Sequence, residues 1–273
     1  MAGPELTSPR TAQVTAARRL TKRAFRARER SFLAEGPQAV REAAALSGVL
    51  TQVFVTPAMA LKHDDIVAAA TVAGAVVRTA TEAVIDVLAQ TVTPQGIVGV
   101  CRFVDVSAEQ SLTTGSSLVA ILANVRDPGN AGTVIRTADA AGADAVVLAG
   151  ESVDPYNAKC VRASVGSIFH VPMSVGMPVS DAIARAKDLG LTVLAADGGG
   201  TRDLDAAIDD GLLSAPTAWV FGNEAWGLPP DVLRLCDEVV SVPIHGKAES
   251  LNLATAAAIC LYASAREQRR ANR

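Results

Sequence analysis

The C-terminal half of the chain alternates short apolar runs with helical segments, and this pattern constrains the fold most. It predicts six strands and a long closing helix over residues 251–268; the strands are expected at 118–124, 145–148, 168–172, 192–196, 218–221 and 239–244. Strands separated by helices predict a parallel sheet covered by helices on both faces. Ligands of such sheets bind beyond the carboxyl ends of the strands. We therefore expect a site among the loops that follow Asn124, Ala196, Phe221 and Ile244.

The N-terminal half predicts a smaller α/β domain over residues 31–104, and the chain is therefore of the α/β class in both halves. Residues 105–116 are rich in Ser, Thr and Gly, a composition typical of a linker. The parallel-sheet domain is expected over residues 117–273, and residues 1–30 are expected to form a separate basic arm.

Composition excludes several classes of protein. Apolar residues make up 49% and charged residues 19%, which is incompatible with wholesale disorder. No apolar run approaches the ~20 residues of a membrane span, and no secretory signal is visible, so we expect a cytoplasmic protein without a membrane partner. The four cysteines and three histidines are dispersed without a CxxC pair, so we expect neither disulfides nor a metal site.

The charge distribution is uneven although the net charge is only −3. Residues 1–30 carry a balance of +6 and the rest of the chain −9; the eight basic residues are Arg10, Arg18, Arg19, Lys22, Arg23, Arg26, Arg28 and Arg30. Such a segment is either a solvated basic helix or tail, or an arm that contacts phosphates. Composition alone leaves both interpretations open.

Three loops at predicted strand ends hold the candidate site residues. In residues 124–132, Asn130 is placed to cap the following helix, and Arg136 within that helix is either solvated or directed back to the loop. In residues 221–229, Glu224 lies in a glycine-flanked turn, which indicates a tight turn or close backbone approach to a ligand. In residues 242–252, Ser250 is placed to cap the closing helix, and Asn252 is expected in the first turn of that helix. The Asn252 amide either contacts a substrate or has an ordinary capping role.

A glycine triplet at Gly198-Gly199-Gly200 does not form a dinucleotide fingerprint or a phosphate-binding loop. A flexible turn is the favoured interpretation. A nicotinamide-dependent enzyme is correspondingly disfavoured.

The three loops together resemble the sequence motifs of the SpoU/TrmH family of RNA ribose 2′-O-methyltransferases, of the SPOUT class. NVRDPGNAGTVIRTADAAGAD is similar to motif one, FGNEAWGL to motif two and VPIHGKAESLNLATAAAICLYA to motif three. The resemblance covers roughly residues 117–268, and the segments RERSFLAEGPQAVREA and TPQGIVGV resemble the substrate-binding domain of rRNA-directed members. Motif one commonly has Asn where this chain has Asp127, which keeps the same turn chemistry.

This resemblance implies a deep trefoil knot in the catalytic domain, S-adenosyl-L-methionine as cofactor, and a homodimer whose active site is completed across the interface. Asn130 and Arg136 match the catalytic-site Asn and Arg, Glu224 matches the motif-two Glu, and Ser250 and Asn252 match the polar pair of motif three. The positions that match those holding the cofactor's adenine are Gly222, Val242 and Leu251, with Ile244 close by.

The implied reaction is methylation of a ribose 2′-hydroxyl in RNA, in 23S rRNA rather than tRNA, without a metal. Arginine seldom gives up its proton, so we expect Arg136 to stabilise the developing alkoxide, while its action as the base stays open. Two alternatives remain at this point: an enzyme for tRNA or a small molecule, and a non-catalytic RNA-binding assembly factor on the same fold.

Overall fold

The computed structural model describes residues 5–271, and these divide into two compact units. The first contains the residues up to 104 together with 154–169, and the second contains 105–153 and 170–271. The helices, in chain order, are α1 (Ala12–Arg19), α2 (Arg23–Glu29), α3 (Pro37–Ala45), α4 (Pro57–Lys62), α5 (Asp64–Val72), α6 (Glu82–Leu88), α7 (Ala108–Ser111), α8 (Pro128–Ala141), α9 (Ala158–Ser164), α10 (Val179–Asp188), α11 (Leu204–Asp209), α12 (Pro230–Leu233) and α13 (Leu253–Ala271).

A four-stranded sheet forms the centre of the first unit. Its strands are β1 (Ser31–Glu35), β2 (Leu50–Val55), β3 (Val76–Thr79) and β4 (Ile97–Arg102). They lie in the order β1-β4-β2-β3, with β4 antiparallel to both neighbours and β2 parallel to β3. The segment after β2 is helical but interrupted at His63, which separates α4 from α5.

The basic segment at the N-terminus packs on this unit as two helices. Val14, Ala17 and Leu20 recur at helical spacing, so they share one face of the chain, and they are buried in a cluster with Val84 and Leu88 of α6. Seven of the eight basic side chains stay exposed, whereas Arg26 is only 4% exposed. Residues 12–29 therefore contribute to the core of the first unit besides carrying charge.

Residues 154–169 also belong to the first unit, although the resemblance assigns them to the catalytic stretch. Arg26 donates from Nε and Nη2 to Asp154 Oδ2 over 3.0 and 2.6 Å, and from Nη1 to the carbonyls of Leu20 and Thr21 over 3.0 and 2.9 Å. The Tyr156 ring stacks on Phe103 with centroids 3.7 Å apart. A buried charge needs such pairing, because removing its partner leaves an uncompensated ion in a poorly solvated place.

The second unit is built on a seven-stranded sheet in which all paired strands are parallel. Its strands are β5 (Leu118–Ala123), β6 (Ala145–Ala149), β7 (Met173–Val175), β8 (Thr192–Ala196), β9 (Arg202–Asp203), β10 (Thr217–Phe221) and β11 (Glu238–Ser241). They lie in the order β7-β6-β5-β10-β8-β11-β9. Every residue of β5, β6 and β10 is buried, as expected when helices cover both faces of a sheet.

The predicted α/β class with a smaller N-terminal domain is confirmed, and two details differ. Ile168 and Phe169 lie in a 3-10 turn, and the strand expected at 168–172 is instead Met173–Val175. Short apolar runs do not distinguish a strand from another buried segment, which explains the error. The two-residue strand β9 was not predicted. The trefoil knot stays a prediction.

Candidate active site

Four loops of the second unit lie at one edge of its sheet. Strands β5, β10, β8 and β11 are parallel neighbours, so their carboxyl ends coincide. The loops that follow border a cleft of about 510 Å³. Of the nine predicted site residues, eight line it: Asn130, Gly222, Glu224, Val242, Ile244, Ser250, Leu251 and Asn252. The structure thus brings together residues from all three motifs.

Glu224 fastens the motif-two turn to the motif-one loop. Its carboxylate accepts hydrogen bonds from the backbone N–H of Arg126 at 3.2 Å and of Asp127 at 3.1 Å, and from Asn130 Nδ2 at 3.2 Å. Desolvation by itself would raise the pKa of Glu224, but these donors and its own N–H outweigh it, and the pKa lies below the ordinary value of 4.5. Glu224 is therefore a carboxylate at neutral pH.

Asn130 was predicted to cap the helix of motif one, and this prediction is wrong. Helix α8 begins at Pro128, and its cap is Asp127, whose Oδ1 accepts from Asn130 N at 2.8 Å. Asp127 thus performs the turn chemistry that the sequence suggested for this position. The amide of Asn130 is left to join Glu224 to the third motif.

Ser250 was predicted to cap the closing helix, and this too is wrong. Asn252 caps α13 instead, because its Oδ1 accepts from the N–H groups of Ala254 at 2.9 Å and Thr255 at 3.3 Å. The Nδ2 of Asn252 donates to Asn130 Oδ1 at 3.0 Å. Ser250 lines the cleft from the irregular segment before the helix. Glu224, Asn130 and Asn252 therefore form one continuous chain of hydrogen bonds across the cleft.

Sequence reasoning missed Asn223, which is 6% exposed and holds two loops together. Its Nδ2 donates to the backbone oxygen of Asn124 at 2.8 Å, and its Oδ1 accepts from Ala225 N at 2.8 Å. Asn124 itself has a positive φ of 57°, a conformation that Asn tolerates better than most residues. The signal for Asn223 was a polar amide two residues after a fully buried strand.

Gly222 is required by close packing within the motif-two loop. A Cβ at this position would approach the Gly227 carbonyl carbon to 2.5 Å. Asn223 and Gly227 exchange both backbone hydrogen bonds, and Gly227 has a positive φ of 65°. Backbone hydrogen bonds therefore close the loop, and the close approach of Gly227 leaves no room for a side chain at position 222.

Arg136 is the one predicted site residue that the structure does not bring to the cleft. It lies on an exposed face of α8, six positions and about 9 Å of helix rise beyond Asn130. Within residues 5–271 its side chain makes no hydrogen bond or ion pair. The guanidinium is thus available to a group outside the chain's own cleft.

The described part of the chain contains no cluster of three His, Cys, Asp or Glu that could hold a metal ion. Among the helices that the structure describes, none combines the length and hydropathy needed to cross a bilayer.

Two family models match the chain. Residues 117–262 match the SpoU rRNA methylase family, and residues 11–99 match the MRM3-like substrate binding domain. The first match covers more than half of the chain, including all three motif loops. The chain belongs to the SpoU rRNA methylase family. The predicted family resemblance is therefore confirmed.

Relatives of this SpoU-family chain resemble it over nearly its full length. It is 33% identical to the 23S rRNA (guanosine(2553)-2'-O)-methyltransferase RlmP of Bacillus subtilis over 258 residues, 94% of this chain and 98% of the relative. The AdoMet-bound rRNA methyltransferase of Sinorhizobium meliloti has 32% identity and a TM-score of 0.81, covering 96% of this chain and 97% of that one. The SpoU methyltransferase AviRb of Streptomyces viridochromogenes, solved with AdoMet, has 27% identity and a TM-score of 0.77, covering 97% of this chain and 100% of that one.

Proposed function

We propose that this chain transfers the methyl group of S-adenosyl-L-methionine to a ribose 2′-hydroxyl of RNA, and that the RNA is 23S rRNA rather than tRNA. The observation that carries the proposal is the hydrogen-bonded chain Glu224–Asn130–Asn252, which joins the three motif loops at one cleft. Membership of the family and the activities of the full-length relatives support it. A ribosomal substrate implies a cytoplasmic location.

The cleft has the size and chemistry to hold the cofactor. Its volume of about 510 Å³ falls within the usual range for small-molecule sites. Val242, Ile244 and Leu251 supply apolar walls, and the irregular backbone around them and after Gly222 offers N–H and C=O groups to an adenine. When bound, S-adenosylmethionine supplies a methyl group that its positive sulfonium already activates.

The remaining difficulty is the ribose hydroxyl, which is a very weak acid. Asn130, Asn252 and Ser250 present polar groups to the cleft and would hold the ribose there. Glu224 keeps the Asn130 amide oriented. We assign to Arg136 the stabilisation of negative charge on the ribose oxygen, because a guanidinium stays protonated at any physiological pH.

We assign Arg136 to the cleft of a partner subunit, in a homodimer. The supporting observation is that Arg136 is exposed and does not line the cleft of its own chain. Helix α13, which packs beside α8, also exposes 39% of Ile259 and 51% of Tyr262 on one face. Apolar side chains exposed on a helix face are suited to a subunit interface.

RNA contact outside the cleft is assigned to the basic cluster, which comprises the exposed residues Arg18, Arg19, Lys22, Arg23 and Arg28. The guanidinium carbons of Arg19 and Arg28 lie 5.6 and 4.8 Å from the ring centroid of Phe25. Arg19 and Arg28 thus lie around one ring, and Arg28 also pairs with Glu29 at 2.7 Å. The other exposed cations of the cluster lie on or between the same two short helices, and such a concentration of positive charge suits phosphate binding.

Incubation of the purified chain with unmodified 23S rRNA, tRNA and labelled cofactor tests the proposal. Nuclease digestion and mass spectrometry should reveal a 2′-O-methylated nucleoside in 23S rRNA, absent with Asn130→Ala. Label confined to a base, or to tRNA alone, would contradict the proposed substrate. RNA binding without any transfer would favour the assembly-factor alternative.

A further inference from the structure

Trp226 is an exposed aromatic side chain that the cofactor cleft does not use. The chain has two tryptophans. Trp219 is fully buried and donates its indole N–H to Ser264 Oγ at 2.9 Å, whereas Trp226 is 60% exposed. An indole in water forgoes a large hydrophobic gain, and exposed aromatics are enriched where proteins bind other molecules.

The turn that carries Trp226 is held without help from the indole. Asn223 N donates to Gly227 O at 3.0 Å and Gly227 N donates to Asn223 O at 2.9 Å, which closes the turn at its base. The Asn223 side chain ties this base to Asn124, and Glu224 ties the turn to α8. These hydrogen bonds fix the backbone of the turn at Trp226, and the indole is not needed to hold the turn together.

The position of Trp226 is next to the reaction cleft but outside it. Glu224, Ala225 and Gly227 line the cleft, and Trp226 does not. The indole thus stands beside the place where a ribose would enter. The charged side chains of the loops braced to this turn are already engaged, because Arg126 pairs with Glu151 at 2.7 Å and Glu224 accepts from the motif-one loop.

We propose that the Trp226 indole stacks on an unpaired nucleobase adjacent to the methylated ribose, and that it positions the RNA for transfer. This inference rests on the proposed function. A ribose that reaches the cleft brings its own base and its neighbours to the rim. Proteins recognise single-stranded RNA by stacking splayed-out bases on aromatic side chains, and such stacking tolerates any base.

The test measures RNA binding with the whole protein and an oligonucleotide that spans the mapped site. Trp226→Ala should weaken RNA binding at least about fivefold and raise KM for RNA, while Trp226→Phe retains most of the affinity. Cofactor affinity by calorimetry and thermal stability should not change. Leu235→Ala, which removes another exposed apolar side chain of the same unit, is the control.

Fluorescence supplies a readout that is independent of activity. Trp226 is the exposed fluorophore, so RNA should quench red-shifted emission in the wild type and leave the Trp219 emission of Trp226→Phe unchanged. An oligonucleotide abasic at one position beside the target should abolish the quenching. Trp226→Ala should then cause no further loss of affinity with that abasic RNA, as expected for two partners of one contact.

Three results would overturn the inference: unchanged RNA affinity in Trp226→Ala, quenching by the cofactor alone with weaker cofactor binding in the variant, or dissociation of the variant into monomers. Failure of the proposed function gives a different result, since the wild type would then methylate no RNA. Methylation and RNA binding that do not depend on Trp226 would contradict the stacking contact and leave the proposed function intact.

Discussion

The amide of Asn130 donates to the carboxylate of Glu224 over 3.2 Å, although 94 positions separate the two residues. Asn130 lies in the first turn of α8, and Glu224 lies in the turn after β10, so the contact exists only because β5 and β10 are neighbours. The same carboxylate holds two backbone N–H groups of the motif-one loop.

Glu224→Gln should destabilise the protein in a pH-dependent way. The native pKa of Glu224 is lowered, so the stability that its ionised form contributes is present above pH ~4.5 and is lost as pH falls through the lower native pKa. Denaturant unfolding of wild type and variant should therefore differ most near neutral pH and converge in acid. A difference that stays constant over that range would contradict this. Transfer should also fall, because the Gln amide has one acceptor oxygen where the carboxylate has two, and its NH2 cannot accept from the motif-one N–H groups that now hold the loop of Asn130.

Arg136→Ala should lower kcat by roughly a hundredfold or more while leaving cofactor affinity unchanged, since it removes one preorganised charge partner of the transition state. The helix should survive, because alanine is a better helix former than arginine. Arg136→Lys keeps the charge but loses the planar fork of donors, so only part of the activity should return. Turnover near the wild-type value in Arg136→Ala would show that the residue is misassigned.

Mixed dimers decide in which cleft Arg136 acts. A subunit that carries Arg136→Ala is paired with a subunit that carries Gly222→Ala. The added Cβ of the second variant would come within 2.5 Å of the Gly227 carbonyl carbon and disturb its cleft. If the guanidinium acts on the partner's cleft, mixing two inactive variants restores activity, because one cleft is then complete. Absence of rescue in verified mixed dimers would place Arg136 in its own chain's site.

Replacing Arg18, Lys22 and Arg23 of the basic cluster by Gln should weaken RNA binding and flatten its salt dependence. Each lost phosphate contact lowers the log–log slope by about 0.9. Deletion of residues 1–30 is a poorer test, because it also removes Val14, Leu20 and Arg26 from the core. Arg234→Gln, an exposed charge in the second unit, serves as the control. An unchanged slope of RNA affinity against salt in the triple variant would show that the cluster is solvated and does not contact phosphates.

Arg26→Met should destabilise the first unit by about 3 kcal/mol, because it leaves the carboxylate of Asp154 without its partner in a poorly solvated place. Adding Asp154→Leu should recover part of that stability, since no uncompensated charge then remains. The measurement is denaturant unfolding of both variants. Equal stability of Arg26→Met and wild type would show that water already satisfies the pair.

Much of the architecture was predictable from local pattern. Alternating apolar strands and helices indicated the parallel sheet, and the fully buried β5 and β10 follow from their continuous apolar sequence. The three motifs identified the family, and the loops at strand ends were the right place to look for a cleft. These inferences succeeded because periodicity and turn chemistry act over a few residues.

The caps and partners of individual side chains were not predictable in the same way. Asn130 and Asp127 are both competent caps, and the choice of Asp127 depends on where α8 begins. The buried pair Arg26–Asp154 joins residues 128 positions apart, and no local signal distinguishes Arg26 from the seven basic residues around it that stay exposed.

The sequence by itself therefore determined the class of fold, the family and the set of polar residues available for chemistry. The tertiary structure decided which of them meet: it joined Glu224, Asn130 and Asn252 across the cleft, left Arg136 on an outer helix face, and buried Arg26. The physical reason is that secondary structure reflects propensities within a few residues, whereas burial and hydrogen-bond partners depend on which strands become neighbours in the sheet.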